Sequence, residues 1–264
     1  MPHRVKKERL DRLLVARELA ETRQKAQALI LAGQVFINGV CVDKPGKSVE
    51  EDAAIDVKVG KPLHVSRGWQ KLAGAVQSFH LSVEQVVCLD IGASTGGFTE
   101  YLLEHGASRV YAVDVGRGQL HWRLRSDPRV VVMEGINARY LKLADFPTQF
   151  DLVAIDVSFI SLTKILSAVV PLVKPEGLIL ALIKPQFEVG KGEVGKGGIV
   201  RDPRRHQQVV NQIQDFAREE LHLIVEGIIE SPILGAEGNQ EFFILLAKEA
   251  KTAGHEIGAI TERA

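Results

Sequence analysis

Four residues far apart in the 264-residue chain have side chains able to hold or move a proton: Lys71, Asp156, Lys184 and Glu241. An uncharged lysine amine takes up or relays a proton, and a neighbouring carboxylate orients it. Taken alone, each would usually be a surface or capping residue. What sets them apart is that each falls at the boundary of an expected element. Asp156 and Lys184 close the apolar runs Phe150–Asp156 and Gly177–Ile183. Glu241 opens the run ending at Leu246, and Lys71 lies in the first turn of a helix whose Leu72, Ala73, Val76 and Phe79 share a face. A doubly wound fold brings such boundaries to its ligand-binding edge.

A second group surrounds a glycine turn. Val86–Ile91 is an apolar run carrying Asp90 near its end, followed by Gly92-Ala93-Ser94-Thr95-Gly96-Gly97-Phe98 and the start of a helix. Glycines suit a turn that reaches φ > 0 and lets a ligand approach the backbone. A dinucleotide site would want Gly-x-Gly-x-x-Gly with a pyrophosphate on the helix N-terminus. Here an acid stands two residues before the first glycine, and no third glycine keeps dinucleotide register. A carboxylate there repels a pyrophosphate and suits an ammonium. S-adenosylmethionine offers an ammonium, no phosphate, and a ribose for Asp114, which ends the next apolar run, Arg109–Asp114. Asp90, Gly92, Ala93, Ser94, Gly96, Gly97, Phe98 and Asp114 are therefore the expected cofactor residues, with Asn137 beyond a third run, Val130–Met133.

The elements that must position these groups alternate. After the runs already named come a helix over Leu162–Val173, a strand over Gly177–Ile183 and a helix over His206–Leu221. Strands His222–Glu230 and Glu241–Leu246 follow with no helix between them, so they should run antiparallel. The fold class is α/β: a mostly parallel seven-stranded Rossmann-like sheet with a reversed last strand. That closing pair favours a class I methyltransferase over a dehydrogenase.

Composition constrains the rest. Basic and acidic residues balance at 33 each, so any nucleic-acid footprint must be local. Residues 1–75 hold a modest basic excess and the remainder an acidic one. The two cysteines, Cys41 and Cys88, are far apart, which suits a reducing cytoplasm and offers no cluster for a structural zinc. No metal is expected. The N-terminus lacks the apolar region of a secretory signal, and no apolar run is long enough to span a membrane.

The N-terminal residues predict two short helices and a hairpin. Leu10, Leu13, Leu14 and Ala20 form an apolar stripe. Thr22 is placed to cap a helix over Arg23–Ala32, with Gly33 as its stop. Asn38-Gly39 between β-rich runs is a strong type I′ hairpin signal. This order, on Arg9-Leu10-Asp11-Arg12-Leu13-Leu14, Thr22-Arg23, Ala26, Leu29-Ile30 and Gly33–Gly39, resembles the RNA-binding module of small-subunit ribosomal protein four. The resemblance implies RNA contacts from Arg9, Arg12, Arg23, Gln24 and Lys25, contacts that are salt-sensitive and carry little sequence information. A Gly/Pro-punctuated linker with Lys61 and Arg67 follows, and Trp69 after it suits either core packing or base stacking. The glycine-rich basic loop Pro185–Arg201, with Lys191 and Lys196, suits a substrate-facing lid.

Lys71, Asp156, Lys184 and Glu241 together resemble the Lys-Asp-Lys-Glu constellation of ribose 2′-O-methyltransferases related to FtsJ. That resemblance implies Lys184 as base for a 2′-hydroxyl, Asp156 as its tuning partner, and Lys71 and Glu241 as positioning groups. Over nearly its full length the chain is similar to the TlyA ("hemolysin A"-like) family. The match rests on Val65-Ser66-Arg67-Gly68, Lys71-Leu72-Ala73, Asp90–Thr99, Ala112–Gly116, Ile155–Ser161 and Lys184–Glu188. It implies S-adenosylmethionine-dependent methylation of cytidine riboses in ribosomal RNA or assembled subunits, in the cytoplasm, with Arg67, Lys191 and Lys196 as further RNA contacts. The expected division is a small α+β RNA-binding domain over 1–58, a linker over 59–66, the methyltransferase domain over 67–248 and a tail over 249–264. The family name raises a pore-forming haemolysin as an alternative, and an RNA-binding protein with an inactive methyltransferase fold is a third.

Overall fold

The computed structural model describes residues 7–57, 64–190, 192, 194–195, 197–235 and 238–248. The chain forms two compact units, one up to Arg67 and one from Gly68 onward.

In the first unit, β1 (Lys7–Arg9) leads into α1 (Leu10–Ala16) and α2 (Arg23–Leu31). Strands β2 (Val35–Ile37), β3 (Val40–Cys41), β4 (Ser48–Glu50) and β5 (Ile55–Val57) follow. The apolar stripe of α1 closes on Ala26 and Ile30 of α2 and on Val35, Val42 and Val49. Thr22 caps α2 by accepting the Lys25 N–H at 3.1 Å, and Gly33 ends it at φ +69°. The β2–β3 turn holds Asn38 and Gly39 at φ +49° and +78°, as a type I′ hairpin requires. Strands β1, β4 and β5 were not foreseen. They are three residues each, too short to show a period.

The second unit opens with α3 (Gly68–Ser78) and carries one seven-stranded sheet. Along the chain come β6 (Val87–Ile91), α4 (Gly97–Glu104), β7 (Arg109–Asp114), α5 (Trp122–Arg125), β8 (Val130–Glu134), β9 (Phe150–Ile155), α6 (Thr163–Val169), β10 (Val173–Ile183), α7 (Pro185–Glu188), α8 (Pro203–Asp215), β11 (Ile224–Glu230) and β12 (Phe242–Ala247). The spatial order is β11-β12-β10-β9-β6-β7-β8. Pairs from β10 to β8 are parallel, and β12 runs antiparallel to both neighbours, so the reversed last strand is as expected. The largest apolar core lies against this sheet, with Leu89, Val113, Phe150, Ile155, Ile179 and Ile244 among its buried members.

Two boundaries differ from expectation because of proline. Helix α6 ends at Val169 with a 3-10 turn over Val170–Leu172, since Pro171 cannot donate to the ladder. Strand β10 therefore begins at Val173, and its register with β9 shifts between Val173 and Leu178. Helix α8 starts at Pro203, not His206. Proline is tolerated at a first helical position, and Asp202 caps the end through the Arg204 N–H. A π-turn over Phe216–Glu220 finishes that segment.

Candidate active site

The C-terminal ends of the parallel strands carry the acids. Asp90 lies one residue before the end of β6, Asp114 ends β7, Glu134 ends β8, and Asp156 follows β9. Lys184 follows β10. Because β12 is reversed, its first residues reach the same edge: Ile183 pairs with Phe242, which brings Glu241 beside Lys184.

The four residues expected to move a proton do meet. Lys71 Nζ lies 2.6 Å from Glu241 Oε2 and 4.0 Å from Asp156 Oδ2. Lys184 Nζ lies 2.5 Å from Asp156 Oδ1 and donates to Ser158 Oγ at 3.0 Å. Lys71 and Lys184 are each 8% exposed and Glu241 is 2% exposed. Buried charges persist only when paired, and here two cations meet two anions. Burial pushes the Asp156 carboxyl up, but the charges of Lys184 and Lys71 overcome that and hold it below the usual carboxylate range. Close backbone packing makes the cluster possible. A Cβ on Gly74 would meet Pro232 Cγ at 2.6 Å, and one on Gly235 would meet Glu241 Oε1 at 2.4 Å.

The sequence missed three partners. Ser158 holds Lys184, and Gln186 donates to Glu241 Oε1 at 3.1 Å. Glu188 accepts from the Leu162 N–H and from Ser161 Oγ, both at 2.7 Å, fastening α7 to the start of α6. Phe159, at φ +65°, is 90% exposed, and its ring lies 4.9 Å from Phe187. Such a backbone is unusual for a bulky residue and holds the ring toward solvent.

The glycine turn sits next to this cluster. Gly92, at φ +84°, is so close to the next strand that a Cβ would meet the Asp156 carbonyl oxygen at 2.2 Å. Gly96 is left-handed at φ +102° and caps α4, whose Gly97 and Phe98 are buried. Phe98 stacks on Phe243 with centroids 6.3 Å apart and supports the turn from the core side. Ala93 is buried, and Ser94, at φ +50°, donates its N–H to Asp114 Oδ2 at 2.8 Å. Gly116 donates to Asp114 Oδ1 at 2.7 Å, so both carboxylate oxygens are aimed by backbone. Asn137 is exposed and accepts the Arg139 N–H at 3.1 Å.

Asp90 is fully buried. Its Oδ2 accepts from Thr99 Oγ1 at 2.6 Å, while Oδ1 has no hydrogen-bond partner among the described residues. Burial pushes its pKa up to about 7, against the pull of Thr99 and with help from Asp156 and Asp114. An orphaned acceptor beside a cradle closed to any Cβ fits an ammonium-bearing cofactor without phosphate.

In the first unit the expected RNA contacts have other work. Arg9 reaches Asp11 through Nε at 3.1 Å and Nη2 at 3.0 Å, and Arg23 Nε reaches it at 2.9 Å. Gln27 adds a fourth donor at 3.0 Å. The Arg9 pair, with these partners, holds the buried Asp11 carboxyl far below its usual range. Arg9 also precedes α1 and does not lie on it. Arg12 is 3.9 Å from Glu8, Lys25 pairs with Glu21, and Gln24 is exposed. Arg67 reaches Asp43 at 3.5 Å. Lys61, Lys191 and Lys196 lie outside the described residues.

The FtsJ-like methyltransferase family model matches residues 64–248, and the S4 domain model matches residues 8–55. The Bacillus subtilis protein YqxC, assigned as an rRNA methyltransferase, is 50% identical over 91% of this chain and 86% of its own. The 16S/23S rRNA (cytidine-2′-O)-methyltransferase TlyA of Mycobacterium tuberculosis is 46% identical over 93% of this chain and 91% of its own. A solved structure of a hemolysin-type protein from Streptococcus thermophilus is 44% identical, with a TM-score of 0.72 over 93% of this chain and 90% of that one. A chain with this sheet, this glycine turn and these matches belongs to the FtsJ-like methyltransferases, in the TlyA family.

Proposed function

We propose that the chain transfers a methyl group from S-adenosylmethionine to the ribose 2′-hydroxyl of cytidine in ribosomal RNA. The observation that carries this reading is the buried Lys71–Glu241 and Lys184–Asp156 pairing beside the glycine turn. S-adenosylmethionine supplies an electrophilic methyl on a sulfonium, which departs as a neutral thioether. Asp90 would hold the cofactor's ammonium and Asp114 its ribose hydroxyls, with Gly92–Gly97 supplying the turn.

Lys184 takes the proton of the 2′-hydroxyl as the oxygen's lone pair forms the new bond to carbon. To do so it must first give up the proton it carries in its pair with Asp156, and Asp156 and Ser158 then fix where its lone pair points. Lys71 and Glu241 hold Asp156 and α3 in place, and Gln186 holds Glu241. The remaining demand is in-line alignment of hydroxyl and methyl, which is catalysis by proximity. The exposed ring of Phe159 suits stacking against the base of the nucleotide presented.

The S4-type unit supports RNA as the partner, with Arg12 and the outer faces of Arg9, Arg23 and Lys25 available to phosphates. Ribosomal RNA as substrate supports a cytoplasmic site of action. No helix among the described residues is long and apolar enough to cross a membrane. The test is incubation of purified protein with tritiated S-adenosylmethionine and ribosomal subunits, followed by digestion to nucleosides. Label in 2′-O-methylcytidine is expected, and label on a base overturns the reading. Haemolysis that survives loss of Lys184 would favour the pore-forming alternative.

A further inference from the structure

The segment between β7 and β8 carries features that methyl transfer leaves unused. Trp122 on α5 is 70% exposed, with the His121 ring tilted against it at 5.9 Å. Arg117 and Arg123 are exposed and form no ion pair among the described residues. No acid occurs from Val115 to Ser126.

The inner side of the same segment is locked. Glu134 accepts the N–H groups of Gly118, Gln119 and Leu120 at 2.9, 3.1 and 3.3 Å, and Arg125 Nη2 at 2.6 Å. His121 donates its N–H to the Thr95 carbonyl at 3.2 Å. Leu124 packs so tightly that a Cβ on Gly96 would meet its Cδ1 at 2.2 Å. The short helix that carries the indole is thus tied to the glycine turn on its inner side, while the indole is open to solvent and has Arg117 and Arg123 near it in the chain.

We propose that this turn is an RNA-docking surface of the methyltransferase unit: an unpaired base stacks on Trp122 while Arg117 and Arg123 contact its phosphates. The inference rests on the ribosomal-RNA reading above. Charge selects a polyanion over an apolar protein patch, and stacking selects an unpaired nucleotide over a duplex. Because His121 and Leu124 tie the platform to Thr95 and Gly96, a docked strand and the donor turn share one rigid frame.

The chain has two tryptophans, so emission reports docking directly. Titrating the full-length protein with cytidine-rich single-stranded RNA should quench its fluorescence, and Trp122→Phe should remove most of that quench. Trp122→Ala should weaken RNA binding about tenfold, the loss of one stacked base, with S-adenosylhomocysteine affinity unchanged. Arg123→Gln should lower the salt slope by about 0.7. A quench retained in Trp122→Phe, or unaltered RNA affinity in Trp122→Ala, overturns the proposal. So does Trp122-dependent self-association without RNA, which would make this a contact between copies of the chain. None of these readouts requires methyl transfer, so label on a base would sink the proposed reaction and leave this surface standing.

Discussion

Ile183 and Phe242 face each other across an antiparallel pair, and that register sends Lys184 and Glu241, their outward neighbours, off the sheet at one edge. A parallel last strand would have put Glu241 at the opposite end. Strand reversal is therefore what lets a residue near position 240 join groups from β9, β10 and α3.

Glu241→Ala should leave the Lys71 ammonium buried without its main partner. The expected cost is about 3–5 kcal/mol, the usual penalty for breaking a buried pair. Glu241→Gln should cost less, because an amide oxygen still accepts from Lys71. Urea unfolding of both variants separates these outcomes, and equal stability would mean the pair is solvated.

Cofactor affinity should depend on pH through Asp90. Its folded pKa is raised to about 7, so the carboxyl is mostly neutral below that pH and attracts an ammonium weakly. The Kd for S-adenosylhomocysteine should rise as pH falls from 8 to 6, with proton release on binding near neutrality. The same shift makes Asp90 favour the folded state most at low pH, an advantage lost as pH rises toward 7. Calorimetry on Asp90→Asn should show the pH dependence flattened.

Gly92→Ala should abolish cofactor binding and destabilise the fold. The φ of +84° disfavours any L side chain, and the added Cβ has only the Asp156 backbone to displace. Backbone cannot rotate aside as a side chain does. Retention of wild-type cofactor affinity would contradict the close approach.

Asp11→Ala should destabilise the S4-type unit by about 2 kcal/mol, since Arg9, Arg23 and Gln27 lose a shared charged acceptor. The carboxyl's depressed folded pKa means its contribution is present above about pH 4 and is lost as pH falls further. Arg23→Ala should lower both stability and RNA affinity. Arg12→Ala, whose partner Glu8 is 3.9 Å away, should lower RNA affinity alone.

Much of this was legible in the sequence, for identifiable reasons. Acids at strand ends, the Thr22 cap and the Asn38-Gly39 turn are local signals with local causes. So was the reversed last strand, because nothing long enough to form a crossover separates β11 from β12. The illegible features depend on distance in the chain. Arg9 and Arg23 read as a free basic face because nothing in sequence shows that both converge on Asp11. Lys71 in a first turn reads as surface on spacing alone, and only the family resemblance grouped it with Glu241, 170 residues away. Glu134 ends a strand like the other acids, but its work is to hold the backbone of Gly118–Leu120. Pro171 moved a strand boundary that apolar pattern alone had set at Gly177.

Single-turnover transfer to ribosomal subunits by the wild type and Lys184→Ala tests the central claim most directly. The cluster predicts wild-type label in 2′-O-methylcytidine and at least a hundredfold slower transfer by the variant, with S-adenosylhomocysteine still bound. Equal rates in the two proteins, or label on a base, would contradict it.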